Sequence, residues 1–402
     1  MTLDLNLESI KSILTIRYDY THNPSISKLN WENFRENEII NPITNIENTI
    51  KDFYLKSIQN EKNVGIALSG GIDSTLLLTL LRKYFPKIPI NTFSIRFSDS
   101  IDETSYAKKI SDKLDSVHKI IEVENYFEEL PKAISIIKLP FWDIHWYYLT
   151  KVSSQISSTV VSGDGGDELF GGYTFRYNKF LSSISENSTI NDKITAYLNC
   201  HERDWVPDQE KLFGKNMKFD WNEIHSIFGK NFNNSLSPLN QVYLSDFNGK
   251  LLFNWLLVNP RFNSHFKIKS ITPFLDEKLI KIGTHLSNTM KYDFKQNIGK
   301  VILRKMLKKY SMEKFVLDQK QGFSVNTINL WKNQGMKLCE QFLIEGEIVK
   351  NGFINKEWIV KHITKTDLDV RYVNKFFGLL AFEIWFRLFI SKSIKSSEKI
   401  IV

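Results

Sequence analysis

Seven residues, Leu68-Ser69-Gly70-Gly71-Ile72-Asp73-Ser74, combine the side chains and backbone freedom needed to hold phosphate. Two adjacent glycines let the main chain approach phosphate oxygens with no Cβ in the way. The amides of a following helical turn, at the positive end of the helix dipole, favour bound negative charge. Ser69 and Ser74 add neutral hydroxyl donors. Asp73 would repel bare phosphate, so it implies a bridging cation, and Mg²⁺ suits that role best. The spacing is not the G-x-x-x-x-G-K-[ST] phosphate loop. A second run, Ser162-Gly163-Asp164-Gly165-Gly166-Asp167-Glu168-Leu169-Phe170-Gly171-Gly172-Tyr173, is rich in glycine and carboxylate. Such a segment builds no packed interior; its backbone must fold closely around something polar.

The elements that position these loops are legible around them. The apolar run Val64–Leu68 precedes the first loop, and the helix-like Thr75–Phe85 follows it. Ser158–Val161, also strand-like, precedes the second. Loops at the carboxyl ends of parallel strands are where α/β sheets bind ligands. Further alternation follows in Ile90–Phe97, Glu103–Leu114, Val117–Val123 and Tyr126–Ile137. That pattern predicts an α/β fold with a parallel sheet over 60–185. A mainly helical part is expected over 186–395, with Trp255, Trp331, Trp358 and Trp385 as core anchors.

Together the two loops resemble the SGGxDS pyrophosphate loop and the SG(E/D)G(G/S)DE-(L/V)FGGY segment of the asparagine synthetase synthase domain. Other segments match in the family's order. Asn91–Ile95 resembles its second strand, and Asp102-Glu103 with Tyr106-Ala107 its acidic helix start. Pro273-Phe274-Leu275-Asp276 resembles PFLD, Lys300–Arg304 K-x-x-L-R, Lys320-Gln321-Gly322-Phe323 K-x-G-F, and Leu380–Phe389 the closing helix. The resemblance runs from near residue 60 to near residue 390. It implies a HUP-like nucleotide-binding core and cleavage of ATP between the α and β phosphates.

The same resemblance assigns roles. Ala67, Leu68, Ser69, Gly70, Gly71, Asp73, Ser74, Ile95, Ser162, Gly163 and Lys300 are expected to bind ATP and its pyrophosphate. Asp73 and Asp167 are expected to hold Mg²⁺. Lys320 is expected to stabilise charge near the α–β bridge, and Asp164 to take the proton of the attacking ammonium or amine. β-Lactam synthetases, which share this fold, carry tyrosine at position 164, so Asp164 argues against ring-closing chemistry. Asp143 and His145 are candidates for the acid site. The implied activity is adenylation of a carboxylate, aspartate or a related acid, followed by transfer of the acyl group to ammonia or an amine.

Several positions depart from the family pattern. Lys269-Ser270-Ile271 stands where E-x-R is common, with Asn263, Ser264 and His265 upstream. Arg96 replaces a glycine, and Leu139 an acidic residue. These changes leave ATP use supported and put aspartate in doubt. A peptide or secondary-metabolite amide synthetase or cyclase with the same chemistry is the alternative. A tRNA-directed pyrophosphate-loop protein or an inactive homologue is the remaining reading. Segment 1–59 resembles the linker of a lost glutaminase domain. Ammonia is then expected from solution or from a separate glutaminase subunit.

Composition fits an intracellular globular enzyme, and a cytoplasmic location is expected. At 402 residues the chain can bury a sizeable core. Its two cysteines lie far apart, which argues against a disulfide scaffold or zinc site. The N-terminus lacks a basic start and apolar block. Phe376–Ile390, interrupted by Glu383 and Arg387, is too short and too charged to span a bilayer. The net charge of +8 is spread along the chain, and nucleic acid is not an expected partner.

Overall fold

Val64–Ala67 (β1) is buried along its whole length, as the central strand of a parallel sheet must be. Ile90–Phe97 (β2) and Thr159–Val161 (β4) flank it, and both pair with it in parallel. Val117–Val123 (β3) lies beyond β2, and Lys269–Ile271 (β5) beyond β4. The sheet order is β3-β2-β1-β4-β5, parallel throughout. The direction of winding therefore reverses between β1 and β4. A crevice opens at such a switch point, outside the strands' carboxyl ends. The computed structural model describes residues 5–98, 100, 102, 104–316, 325–365 and 367–401.

The helices are Leu7–Ile16 (α1), Pro42–Ile58 (α2), Ile72–Tyr84 (α3), Thr104–Lys113 (α4), Leu130–Ile137 (α5), His145–Ser153 (α6), Gly166–Phe170 (α7), Thr174–Ser182 (α8) and Ile190–Cys200 (α9), followed by further helices to Phe389. Apolar burial explains α3: Leu76, Leu77, Leu78, Leu80 and Leu81 have no exposed surface. Each such side chain contributes about 1.5–3 kcal/mol. The helix stops at Phe85, before Pro86, because the residue preceding proline avoids the α region. Pro131 sits in the first turn of α5, where its missing amide costs nothing, so Tyr126–Glu129 stays outside that helix.

The parallel sheet and the mainly helical region after residue 186 agree with the sequence reading. β5 was not anticipated, since three residues carry no periodic signal. Helix α3 begins at Ile72, earlier than expected, directly after the two glycines. Trp331, Trp358 and Trp385 are buried, whereas Trp255 is only partly so. Among the described residues no helix is long and apolar enough to cross a membrane.

Candidate active site

The loops after β1 and β4 leave adjacent strands side by side. Gly70 takes a φ of 74°, a left-handed turn that a Cβ would disfavour, and Gly71 then caps α3. Asp73 and Ser74 stand in the first turn of α3. The Ser74 hydroxyl accepts from the Ser69 amide at 3.3 Å, and Ser69 Oγ accepts from the Gly71 amide at 3.4 Å. Ala67 and Leu68 are buried beneath the loop, where the Leu68 amide donates to the Phe93 carbonyl at 2.9 Å.

Asp73, from the first loop, and Asp167, from the second, converge on one ammonium. Lys300 Nζ donates to Asp73 Oδ2 and, at 2.7 Å, to Asp167 Oδ1. Lys300 caps the helix Val301–Lys309, and its amide donates to the Phe170 carbonyl at 3.1 Å. Burial opposes its charge, yet Asp167 and Asp73 hold the ammonium above the usual lysine range. Two glycines make this meeting sterically possible. A Cβ on Gly166 would lie 2.7 Å from Asp73 Cγ, and one on Gly172 would lie 1.8 Å from Asp167 Oδ1. The glycine-rich segment thus leaves room for carboxylates against its backbone.

Among the described residues, no cluster of three or more histidine, cysteine or carboxylate side chains could hold a metal ion. Two carboxylates meeting at one point nevertheless fit Mg²⁺, which commonly takes one or two carboxylates and completes its shell with substrate phosphates and water.

Asp164 faces a separate set of partners. Its Oδ2 accepts from Ser162 Oγ at 3.0 Å and from Asn259 Nδ2 at 3.5 Å. Burial raises its pKa above the ordinary carboxylate value, against the lowering effect of Ser162 and Asn259. Gly163 packs its Cα side on Asp73, where a Cβ would come within 3.0 Å. Asp143 receives Tyr126 OH at 3.2 Å and lies 2.7 Å from His145 Nδ1. Burial again favours the neutral acid, but His145 and Arg17 override it and bring the Asp143 pKa down to about 2. His145 also packs edge-on against Trp255, with ring centroids 5.7 Å apart.

A cavity of about 850 Å³ extends from the loop. Ser69, Ser94 and Ile95 are among the residues that line it. Arg17, Arg176, Asp204 and Lys250 line it too. Asp143 lines a small neighbouring cavity that shares Arg17 and Asp204 with the first. Arg17, Arg176, Asp204, Lys250 and Asn259 were not singled out by sequence reasoning. Arg17 was read as linker, and no spacing rule joins the others. Lys320 lies outside the described residues, as does Glu103.

The family departures mostly point elsewhere. Lys269 turns away to Glu61, at 2.8 Å, and His265 and Ser264 line a separate surface groove. Asn263 accepts from Trp146 Nε1 at 2.9 Å. Arg96 pairs with Asp102 and Glu122 at the surface.

A parallel sheet with paired glycine-rich loops at its switch point defines an α/β protein of the doubly wound kind. The asparagine synthase family model matches residues 46–387, and the chain belongs to that family. It is 23% identical over 390 residues to asparagine synthetase [glutamine-hydrolyzing] 1 of Bacillus subtilis, covering 89% of this chain and 61% of that protein. It is 34% identical over 128 residues to putative asparagine synthetase [glutamine-hydrolyzing] 2 of Methanocaldococcus jannaschii, covering 31% of this chain and 25% of the relative. The chain thus matches less than two thirds of the length of these relatives. An NH3-dependent NAD synthetase from Campylobacter jejuni aligns at 20% identity and a TM-score of 0.27, over 52% of this chain and 96% of its own.

Proposed function

We propose that this protein is an ATP-dependent amide-forming ligase that activates a carboxylate as its adenylate. The observation that carries this reading is the convergence of Asp73 and Asp167 on Lys300, between two glycine-rich loops at the switch point of the sheet. Family membership and the asparagine synthetase names of its relatives support the same class.

In the first half-reaction a carboxylate oxygen of the acid attacks the α-phosphorus. The bond to the bridging oxygen breaks, and pyrophosphate leaves. Amides of the segment Ser69–Ser74 hold the departing pyrophosphate, and Ile95 borders the nucleotide. Asp73 and Asp167 would hold Mg²⁺, which when bound neutralises phosphate charge. Lys300 moves its ammonium from the carboxylates to the phosphates, and Lys320 is assigned the α–β bridge. Catalysis of this step is chiefly positioning and electrostatic stabilisation.

In the second half-reaction the nitrogen of ammonia or an amine attacks the acyl carbon and AMP leaves. Asp164 takes the proton lost by that nitrogen. A carboxyl whose pKa is raised by burial is a stronger base than an exposed one, which suits it to this task. Ser162 and Asn259 orient it. Asp143 and His145, joined to each other at 2.7 Å, are assigned to the acid site.

The test is ATP–pyrophosphate exchange across a panel of carboxylic acids, with the nucleotide product identified. Acid-dependent exchange and AMP formation are expected. ADP and phosphate as products would overturn the proposal.

A further inference from the structure

A second groove lies apart from the cleft, between α5 and the helix Leu256–His265. It encloses about 530 Å³. Lys132 and Lys138 line it from α5 and its C-terminal cap, and Arg261 and His265 line it from the other helix. Ile136 and Pro260 lie among them. Among the described residues, no carboxylate lines this groove.

The cleft shows what balanced charge looks like in this molecule. There Arg17, Arg176, Lys179 and Lys250 pair with Asp143, Asp246, Glu202 and Asp204 in turn. The groove has no such pairing. The Lys132 and Lys138 ammonium groups bond none of the described residues. Glu129, one turn before Lys132, is taken by Lys151 at 2.5 Å and by the Tyr147 hydroxyl. Arg261 donates to one carbonyl, that of Ile137. Asp19, the carboxylate that acts on Arg261, is itself held by Ser9, Thr21 and His22. Leu139, directly after Lys138, stands where the family pattern has an acidic residue, and His265 is a further departure from that pattern. Helix chemistry accounts for only part of the charge. Lys138, at the end of α5, complements the helix dipole, but Lys132 sits in the first turn, where the dipole disfavours a cation. Burial and Lys132 hold the His265 pKa below its ordinary value, so its imidazole adds a hydrogen-bond donor and no charge.

Water solvates these three cations, so the groove is stable when empty; their field attracts and orients an anionic partner. Ile136, Pro260 and the aliphatic stems of the lysines give the groove an apolar floor, which suits the side chains of a polypeptide. No phenylalanine, tyrosine or tryptophan lines it to stack a nucleic-acid base. We infer that this groove docks an acidic polypeptide segment of a partner protein, held by Lys132, Lys138 and Arg261. The helix that forms one wall also carries Asn259, which donates to Asp164 at 3.5 Å, so a docked partner bears on the helix behind the cleft. The docking itself depends on nothing proposed for the cleft.

Fluorescence anisotropy on the full chain tests this, with rhodamine-labelled octaglutamate as the probe and labelled oligothymidylate as the nucleic-acid comparison. Octaglutamate is expected to bind at low ionic strength and to be released as salt is added. Lys132→Gln/Lys138→Gln should weaken that binding about fivefold or more, the worth of one or two exposed ion pairs. Neither ammonium bonds a described residue, so this variant should keep the wild-type Tm. Ser135→Glu, which sets a carboxylate in the groove, should weaken the probe by a similar factor. Lys278→Gln/Lys281→Gln removes the same charge from exposed positions on the helix Glu277–His285 and should leave the affinity unchanged. Three results would each overturn the inference: no binding of octaglutamate, equal weakening by the two double variants, or tighter binding of oligothymidylate than of octaglutamate. The second of these would mean that net charge alone attracts the probe.

Discussion

Where the loops after β1 and β4 meet, two carboxylates share one ammonium; in the neighbouring cavity, Arg17, Arg176, Lys179 and Lys250 each have a carboxylate of their own. The first arrangement repels a bare triphosphate and suits it only when a divalent cation arrives with it. The second is balanced pair by pair. A third charge cluster, outside the cleft, gives the contrast its meaning. Glu47 is held by Lys83 at 2.5 Å and Lys309 at 2.7 Å, tying α2 to α3 and to the helix Val301–Lys309. Those lysines are 40% and 50% exposed, so water screens their excess charge. Charge imbalance at a solvated surface is screened by water, whereas buried charges in the cavity are matched one to one.

The largest effect is expected from the two carboxylates proposed to hold Mg²⁺. Asp73→Asn and Asp167→Asn should each lower kcat by about 10²–10³ or more, the scale of losing a key electrostatic element. Their effect should fall on the nucleotide half-reaction, with acid binding unchanged. Retention of near-normal exchange in either variant would break the contrast between the two places.

Asp164→Asn should separate the two half-reactions. Amide formation is expected to fall about 10²-fold or more, the usual worth of a general base, while ATP–pyrophosphate exchange persists. Because burial raises the Asp164 pKa, the acid limb of amide formation should lie above the ordinary aspartate range and disappear in the variant. The stability effect has the opposite sign. A carboxyl whose folded pKa exceeds its unfolded value favours folding below the unfolded value, near 3.9, and loses that contribution as pH rises. Asp164→Asn should therefore raise Tm at pH 7, with the gain shrinking toward pH 4. Equal losses in exchange and amide formation would move Asp164 to the first step.

Lys300→Met sharpens the picture where the loops meet. It removes the ammonium that Asp73 and Asp167 share, and removing one partner of a buried ion pair costs about 3–5 kcal/mol. Scanning fluorimetry without nucleotide should show a lower Tm, restored by Mn²⁺. Wild-type protein without nucleotide should gain little from Mn²⁺, because its own ammonium holds the position. An equal Mn²⁺ shift in both proteins would remove Lys300 from that role.

Glu47→Gln is the smallest change and the control. Burial opposes the charge of Glu47, but Lys309 and Lys83 keep its pKa well below the ordinary carboxylate range. Its contribution is therefore present above the unfolded pKa and is lost as pH falls below that range. Stability at pH 7 should drop by about 1 kcal/mol, given solvent screening, with kcat unchanged. A change in kcat would mean that the clamp reaches the cleft.

The legible part of the molecule is the part built from contiguous residues. Strand β1, the two glycines and the start of α3 lie within Val64–Ile72, so local propensity and turn chemistry are sufficient to announce them. The second loop is equally compact. Even Gly166 and Gly172, whose missing Cβ atoms make room for Asp73 and Asp167, belong to a motif that stands out by composition. What went unread was β5, too short for a periodic signal, and the charged lining of the cavity. Arg17 comes from the cap of α1, Arg176 from α8, Arg203 and Asp204 from the turn after α9, and Lys250 from the helical segment Phe247–Trp255.

By itself, then, the sequence determined the parallel α/β core, the two glycine-rich loops and the three carboxylates Asp73, Asp164 and Asp167 that they carry. Each depends on backbone geometry that a few neighbouring residues impose. Only the tertiary structure decided that Lys300 would sit between two of those carboxylates, and that Arg17, read as linker, would reach Asp143. It alone decided that single charges from four distant segments would share one cavity. Electrostatic fields act through space across a few ångströms, whereas sequence patterns record order along a chain. A site whose charges arrive one at a time becomes visible only after the fold has brought them together.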